Sequence, residues 1–143
     1  MSSFRTHHRL GTVLALLAAA VSAHAVDLTV TIEGKDLGKG VVQTALYRGA
    51  EGWLKDKPVR SETASAGADG RAVVVFRGLE AGRYGLSAFH DENADSKLDT
   101  YPLGIPREAY GFSRDARGMF GPPSFDASAI DLQKDTAVTV QVR

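Results

Sequence analysis

Hydrophobic and polar residues alternate with a period of two along several short segments of the chain. Leu28, Val30 and Ile32, for example, alternate with threonine and charged residues. This period places one face of a β-strand on a core and the other face toward water. The alternating segments are residues 27–33, 40–49, 83–90 and 136–142. The pattern therefore predicts an all-β protein.

Two further features extend this prediction. Residues 71–78 are apolar on both faces, which predicts a central strand. The glycine-containing turn 67–71 would join that strand to the preceding segment in a hairpin. About seven short strands with glycine-rich turns are typical of a single antiparallel β-sandwich. A short helical turn is predicted at 51–56, where Trp53 and Leu54 would cover an open end of the sandwich.

The first 25 residues have the pattern of a secretory signal peptide. Arg5 and Arg9 precede a short apolar run, and Ala23–Ala25 has the small-x-small form of a cleavage site. The run is short for a membrane span. We therefore predict export, to the periplasm or beyond the cell, and a single mature domain at residues 26–143 with no transmembrane segment.

Composition excludes several kinds of function. The 143-residue chain has 17 basic and 17 acidic residues, a balance that gives no basic surface for nucleic acid. It has no cysteine, and His90 is the only histidine beyond the predicted signal peptide. A zinc or copper site with several Cys or His ligands is therefore excluded within one mature chain.

Residues 100–125 do not follow the strand pattern. The segment contains four of the five prolines in the chain, and it is richer in aromatic residues than a disordered linker would be. Long irregular segments in compact domains tend to be functional. We predict one long ordered loop that either caps the core or forms a surface for a ligand or partner. The candidate surface residues are Trp53, Tyr101, Glu108, Tyr110, Phe112 and Phe120.

The segment "HDENADSKLDT" at 90–100 resembles a calcium-binding loop in its spacing. Asp91, Asn93 and Asp95 occupy the first, third and fifth places of the pattern D-x-[DN]-x-[DN]-G, and Asp99 occupies the ninth. Lys97 stands seventh, where the backbone carbonyl is the ligand. The spacing predicts a Ca²⁺ site that would order the adjacent loop, with further ligands from Glu92, Glu108 or solvent.

Two departures from the pattern keep an alternative open. Ser96 replaces the glycine of the sixth place, and Pro102 replaces the glutamate of the twelfth. No helices are predicted on either side, so the loop is not an EF-hand. The alternative is a turn rich in Asp and Asn, since these side chains bond their own backbone.

The sequence resembles a family of small exported bacterial proteins, domain-of-unknown-function family 2141. The resemblance lies in "FRGLEAGRYGLSAFHDENADSKLDT", "PLGIPREAYGFS" and "FGPPSFDAS", in that order. It departs from the family at Ala94 and Ser96, where Gly or Asn is usual. The resemblance implies a secreted, immunoglobulin-like or transthyretin-like β-sandwich, and it implies no activity or catalytic residues.

Three functions are compatible with these features. The first is a non-enzymatic module of the cell envelope whose long loop binds a protein, a peptide or a glycan. The second is a hydrolase in which His90 and Asp91 activate Ser113 or Ser124, although the G-x-S-x-G motif is absent. The third is a carrier of a small ligand bound near Trp53 and Tyr110. For His90 itself, alternation predicts a place on the core face, with a ring nitrogen bonded to a backbone carbonyl.

Overall fold

The computed structural model describes residues 24–55 and 57–143 and confirms the predicted all-β sandwich. The predicted signal peptide lies outside the described residues except for His24 and Ala25. Eight strands form two sheets, with a single short α-helix, α1, among the described residues. The elements are β1 (Ala25–Glu33), β2 (Val41–Arg48), β3 (Arg60–Ala64), β4 (Ala72–Glu80), β5 (Gly82–Asp91), β6 (Tyr110–Phe112), α1 (Phe125–Ser128), β7 (Ile130–Leu132) and β8 (Thr136–Gln141).

The first sheet has the strand order β4-β1-β8. β1 pairs antiparallel with β4 and parallel with β8, so one pairing differs from the predicted antiparallel arrangement. The prediction of a central strand at 71–78 is wrong, because β4 lies at the edge. Its outward-facing Val73 is 52% exposed, whereas the central β1 carries threonines on its outer face.

The second sheet has the order β3-β2-β5-β6, and β7 pairs with the first half of β5. β3 and β4 therefore belong to different sheets, and the predicted hairpin between them is wrong. The turn at 67–71 does form, since the N–H of Gly67 donates to the carbonyl of Arg71 over 2.8 Å. It carries the chain from one sheet to the other instead of joining two paired strands.

The core fills the space between the sheets with the inward residues that the alternation predicts. Leu28, Val30 and Ile32 of β1 are fully buried, and they pair in register with Phe76, Val74 and Ala72 of β4. The inner face of β5 contributes Tyr84, Leu86, Ala88 and His90, all of them buried. Fully burying one large aliphatic or aromatic side chain stabilises the fold by about 1.5–3 kcal/mol.

The edges of the two sheets meet where β6 approaches the end of β8. The backbone N–H of Tyr110 donates to the carbonyl of Arg143 over 3.2 Å, and the reverse bond is 3.1 Å. Gly111 makes this approach fit, since a Cβ atom there would lie 2.0 Å from the carbonyl oxygen of Gln141. This contact places β6, and the loops on either side of it, at a fixed position on the sandwich.

A second, smaller core covers the outer face of the five-stranded sheet. It consists of Trp53, Phe112, Phe125 and Ala129, all buried. The Trp53 ring occupies the space above Gly85, where a Cβ atom would lie 2.6 Å from Cζ3 of the indole. The indole N–H donates to the carbonyl of Pro123 over 2.8 Å. Trp53 therefore lies on a sheet face and not over an open end, and residues 51–55 form turns in place of the predicted helical turn.

The predicted long loop 100–125 is ordered in shorter pieces. Two 3-10 turns, at Pro102–Gly104 and Ser113–Asp115, flank β6. Residues 99–107 close on themselves, because Tyr101 N–H donates to Ile105 O over 2.7 Å and Arg107 N–H donates to Asp99 O over 2.8 Å. The segment therefore contains two separate projections, residues 98–106 and residues 116–122, on either side of β6.

Candidate functional site

Asp91 is the last residue of β5 and lies fully buried at the base of the acidic loop. One carboxylate oxygen accepts a hydrogen bond from the backbone N–H of Asp95 over 3.1 Å. The other accepts from the N–H of Ser96 over 2.9 Å and from Nε2 of Gln43 over 3.0 Å. The Asp91 carboxylate is thus occupied by donors from the protein itself.

These donors decide the ionisation of Asp91. Burial by itself raises the pKa of the carboxyl, because it disfavours the charged form. The bonds from Gln43 and from the loop backbone at Ser96, Asp95 and Ala94 act in the opposite direction, and the pKa of Asp91 lies below its usual range. The buried group is therefore a carboxylate anion at neutral pH.

Glu108 holds the same loop from the other side. Its side chain is buried, and its two oxygens accept from backbone N–H groups at the two ends of the loop. Oε1 accepts from Glu92 over 3.0 Å, and Oε2 accepts from Asp99 over 2.9 Å. Glu108 therefore joins residues 92 and 99 across the loop.

The remaining predicted calcium ligands form local turns. Asn93 Oδ1 accepts from the N–H of Asp95 over 3.3 Å, and Asp95 Oδ1 accepts from the N–H of Lys97 over 2.9 Å. Ser96, at the place of the glycine in the calcium pattern, adopts a left-handed φ of 66°. The backbone thus makes the sharp turn of the pattern without the glycine that usually allows it.

This geometry is that of a turn stabilised by its own Asp and Asn side chains. Among residues 24–55 and 57–143, no three His, Cys, Asp or Glu side chains converge in a way that could hold a metal ion. The side chain of Asn93 lies between Asp95 and Asp99, and its Nδ2 donates to them over 3.4 and 3.2 Å. Calcium binding by this loop stays a prediction.

His90 occupies the place that the alternation predicts. Its ring is buried, and Nε2 lies 2.5 Å from the carbonyl oxygen of Lys39. Because a carbonyl only accepts, Nε2 carries the proton in this bond. The two serines of the hydrolase hypothesis have other partners. Ser113 Oγ accepts from Leu86 N–H over 3.0 Å, and Ser124 Oγ caps α1 by accepting from Ala127 N–H over 3.2 Å.

Within the described part of the chain, most of the exposed large hydrophobic residues lie on the two projections and β6. Leu103 is 98% exposed, Met119 is 90% exposed and Phe120 is 100% exposed. We call the full set the apolar loop surface: Leu98, Tyr101, Leu103, Ile105, Tyr110, Met119 and Phe120. Soluble proteins rarely expose apolar residues in one region to this extent unless the region binds something.

An apolar groove of about 340 Å³ lies beside this surface. Its lining comes from β5 and β6, from the two projections and from Leu54. None of its lining residues is charged: Leu54, Ser87, Ala88, Phe89, Leu98, Gly104, Pro106, Tyr110, Phe112, Gly121 and Pro122. Desolvating a charge here would be unfavourable without a partner, so the groove suits an uncharged group.

The structure brings together only half of the predicted surface residues. Tyr101, Tyr110 and Phe120 are exposed on the apolar loop surface, at 55, 39 and 100%. Trp53 and Phe112 are instead buried against each other in the outer core, with ring centroids 5.9 Å apart. The predicted surface contained five aromatic residues and Glu108, and it lacked the non-aromatic hydrophobic residues Leu98, Leu103, Ile105 and Met119. Leucine, isoleucine and methionine within a Pro- and Gly-rich segment were the signal that could have found them.

Glu108 is the third predicted surface residue that is buried, and its role also differs from the prediction. Its carboxylate faces the loop amides of Glu92 and Asp99 and is not available to a partner. The expectation that the acidic loop, with calcium bound, orders the long segment stays a prediction. A residue of the long segment holds the acidic loop.

Comparison with known proteins places this two-sheet β-sandwich in a family. Residues 30–141 match the sequence model of a family described as uncharacterized proteins conserved in bacteria (DUF2141). The chain belongs to this family, as its sequence motifs predict. No curated protein and no solved structure matches the chain. In the part of the chain that the structure describes, no helix has both the length and the apolar character needed to cross a membrane.

Proposed function

We propose that this protein is an exported, non-enzymatic binding module of the bacterial cell envelope, and that the apolar loop surface is its binding surface. The observation that carries the proposal is the complete exposure of Leu103 and Phe120 at the tips of two ordered projections. Exposed apolar side chains are unfavourable in water. A partner that covers them recovers this free energy.

The backbone hydrogen bonding within the first projection supports a binding role. The backbone bonds between Tyr101 and Ile105 and between Asp99 and Arg107 close it into a narrow hairpin. Leu103 lies at its tip with a positive φ of 73°, a conformation that costs a non-glycine residue about 1–2 kcal/mol. An ordered surface loses less conformational entropy on binding than a flexible one.

The acidic loop supports the same projection from beneath. Glu108 bonds to the backbone of Asp99, which is the first residue of the closed hairpin. In our proposal the loop is ordered by the carboxylates of Asp91 and Glu108, and calcium is not required for the shape of the surface. The binding role therefore stands whether or not the loop also takes an ion.

The side chains proposed for hydrolysis have structural partners, which supports a non-enzymatic role. The ring nitrogen Nε2 of His90 donates to the backbone carbonyl of Lys39. Ser113 is fully buried, and its hydroxyl donates to the carbonyl oxygen of Ser128 over 2.5 Å. A nucleophile needs a base within hydrogen-bond reach and access to substrate. Replacing His90 by Gln should lower the free energy of unfolding, and hydrolysis of p-nitrophenyl acetate should be as slow with the wild type as with the variant.

Site-specific photo-cross-linking in the native bacterium tests the binding surface. A photoreactive phenylalanine analogue at Phe120 should give a defined covalent adduct, and the same analogue at Val59 should not. Val59 is the matched control because it is an apolar residue that is 50% exposed but does not belong to the apolar loop surface. The Phe120 adduct should disappear when Leu103 and Met119 are replaced by serine.

The outcome that contradicts the proposal is equal labelling at the two positions, or no adduct at either. Export is tested separately, by sequencing the N-terminus of protein released from the periplasm. We expect a chain that begins near Val26. A chain that retains the residues before Ala25 and stays in the cytoplasm would exclude an envelope role.

A small-ligand carrier is the second candidate, and the groove favours it. A volume of about 340 Å³ falls within the range of small-molecule sites, roughly 300–1,000 Å³. The uncharged dye N-phenyl-1-naphthylamine should then bind saturably and lose its binding in Leu98→Arg, which places a charge in the groove wall. Equal binding to the variant would exclude this groove as the ligand site.

A further inference from the structure

We propose that the apolar loop surface binds a second copy of this chain, and that Phe120 of each copy inserts into the apolar groove of the other. This inference rests on the proposed function, because it names the partner of the same surface. It is drawn from two features that lie side by side in one chain: an uncharged groove and a fully exposed aromatic ring.

The ring does not fill its own groove. Gly121 and Pro122 line the groove, and Phe120 directly precedes them, yet Phe120 is 100% exposed. The turn that carries it is closely folded, since a Cβ atom on Gly118 would lie 2.1 Å from the carbonyl oxygen of Gly121. The turn therefore presents the ring to solvent, beside an apolar groove that the ring leaves free.

A two-fold arrangement of two copies accommodates both features at once. When a projecting group and a receiving groove lie close together on one surface, a two-fold axis near them produces two identical contacts. Each contact removes one Phe120 ring and one groove from water. The neighbouring side chains Leu103 and Met119, both nearly fully exposed, lie on the same surface and can become buried around the two contacts.

Charge opposes this association only weakly. The groove has no charged residue, so an inserted phenyl ring leaves no ion without a partner. The full chain has 17 basic and 17 acidic residues, and the mature chain without Arg5 and Arg9 has 15 basic and 17 acidic residues, a net charge of −2. Two copies therefore repel each other only weakly through net charge, and the uncharged groove favours a second copy over a strongly charged partner.

Sedimentation velocity of the exported mature chain over a range of concentrations tests the inference. We expect a monomer–dimer equilibrium for the wild type. Phe120→Ser removes the ring, and Leu98→Arg charges the groove wall. Each change should weaken the dimer about thirtyfold or more, as for a central interface residue. Val59→Ser is the control and should dimerise like the wild type.

Mixing the two variants gives the sharper test. The Phe120→Ser chain retains its groove, and the Leu98→Arg chain retains its ring, so a mixed dimer keeps one of the two contacts. The mixture should associate more strongly than either variant alone. Trp53 fluorescence confirms that each variant is folded, since this tryptophan is in the outer core.

The inference is overturned if the wild type stays monomeric at every concentration, if Phe120→Ser dimerises normally, or if mixing gives no gain. Cross-linking in cells separates this failure from failure of the proposed function. If the wild type is monomeric and Phe120 forms an adduct with another envelope protein, a second copy is not the partner. The proposal that the apolar loop surface is a binding surface then still holds. The absence of any adduct refutes the proposed function itself.

Discussion

The carboxylates of Asp91 and Glu108 both accept hydrogen bonds from backbone N–H groups of the acidic loop. Asp91 precedes the loop in the chain, and Glu108 follows it. Asp91, at the end of β5, accepts from the N–H groups of Asp95 and Ser96 in the middle of the loop. Glu108, which precedes β6, accepts from the N–H groups of Glu92 and Asp99 at its ends. Two buried carboxylates thus satisfy four backbone donors that no strand or helix satisfies.

Replacing Asp91 by Asn should destabilise the protein by about 2–3 kcal/mol. The amide keeps the size of the side chain, but its NH₂ group would face backbone donors that need an acceptor. The measurement is the free energy of unfolding from chemical denaturation. Amide hydrogen exchange at Asp95 and Ser96 should become faster in the variant.

Asp99→Asn is the matched control for this change, because it makes the same chemical substitution at a half-buried residue of the same loop whose carboxylate bonds to the side chain of Asn93. It should alter the free energy of unfolding by no more than about 0.5 kcal/mol. If both variants lost the same stability, the buried carboxylate of Asp91 would not be the group that orders the loop.

Calcium should have little effect on the wild-type protein. The oxygens of Asp91 already accept three hydrogen bonds from the protein, which takes up most of the roughly four acceptor sites of a carboxylate. We expect no saturable heat when calcium is titrated into the chelator-treated protein, and no rise in melting temperature. A binding isotherm that vanishes in Asp91→Ala/Asp95→Ala would instead support the calcium site predicted from the spacing.

Acid should remove the stabilisation that Asp91 provides. Its pKa is lower in the folded protein than in the unfolded chain, so its contribution is fully present above the unfolded value, about 4. The contribution is lost as the pH falls from there through the folded value. The difference in unfolding free energy between wild type and Asp91→Asn should therefore shrink below about pH 4. A difference that stays constant between neutral and strongly acidic pH would exclude this linkage.

Gly85→Ala should destabilise the fold by about 1–3 kcal/mol, the usual effect of excess volume in a packed core. The added methyl group would lie 2.6 Å from the Trp53 ring, so the indole must move. Trp53 is the only tryptophan in the chain, and its emission should shift to the red as the ring becomes exposed. Gly38→Ala, where nothing lies within 4 Å of the new atom, should leave both emission and stability nearly unchanged.

The sequence predicts the inward faces of the strands well, because alternation depends on each strand alone. The core positions of β1 and β5, including that of His90, follow from it. Alternation does not specify which strand lies beside which. The parallel pairing of β1 with β8, and the edge position of β4, depend on contacts between residues far apart in the chain.

The candidate site is less predictable for a different reason. The spacing of Asp91, Asn93 and Asp95 predicts that their side-chain oxygens turn toward one loop, but it does not show whether those oxygens bind an ion or backbone N–H groups. Similarly, Trp53 and Phe120 are both large aromatic residues outside regular strands. Gly85 leaves room above the sheet for the Trp53 indole, and the sequence alone does not show which aromatic residue fills that room.

The central position of β1 in its sheet has a consequence for the order in which the chain folds. Its partner β8 begins more than one hundred residues later in the sequence, as the pairing of Leu28 with Thr136 shows. Contacts of such separation form slowly, since the intervening chain must first be brought together. The three-stranded sheet therefore cannot be completed during synthesis until residues 136–141 have left the ribosome. Until then β1 can pair only with β4, and the nascent chain cannot form the complete native sandwich.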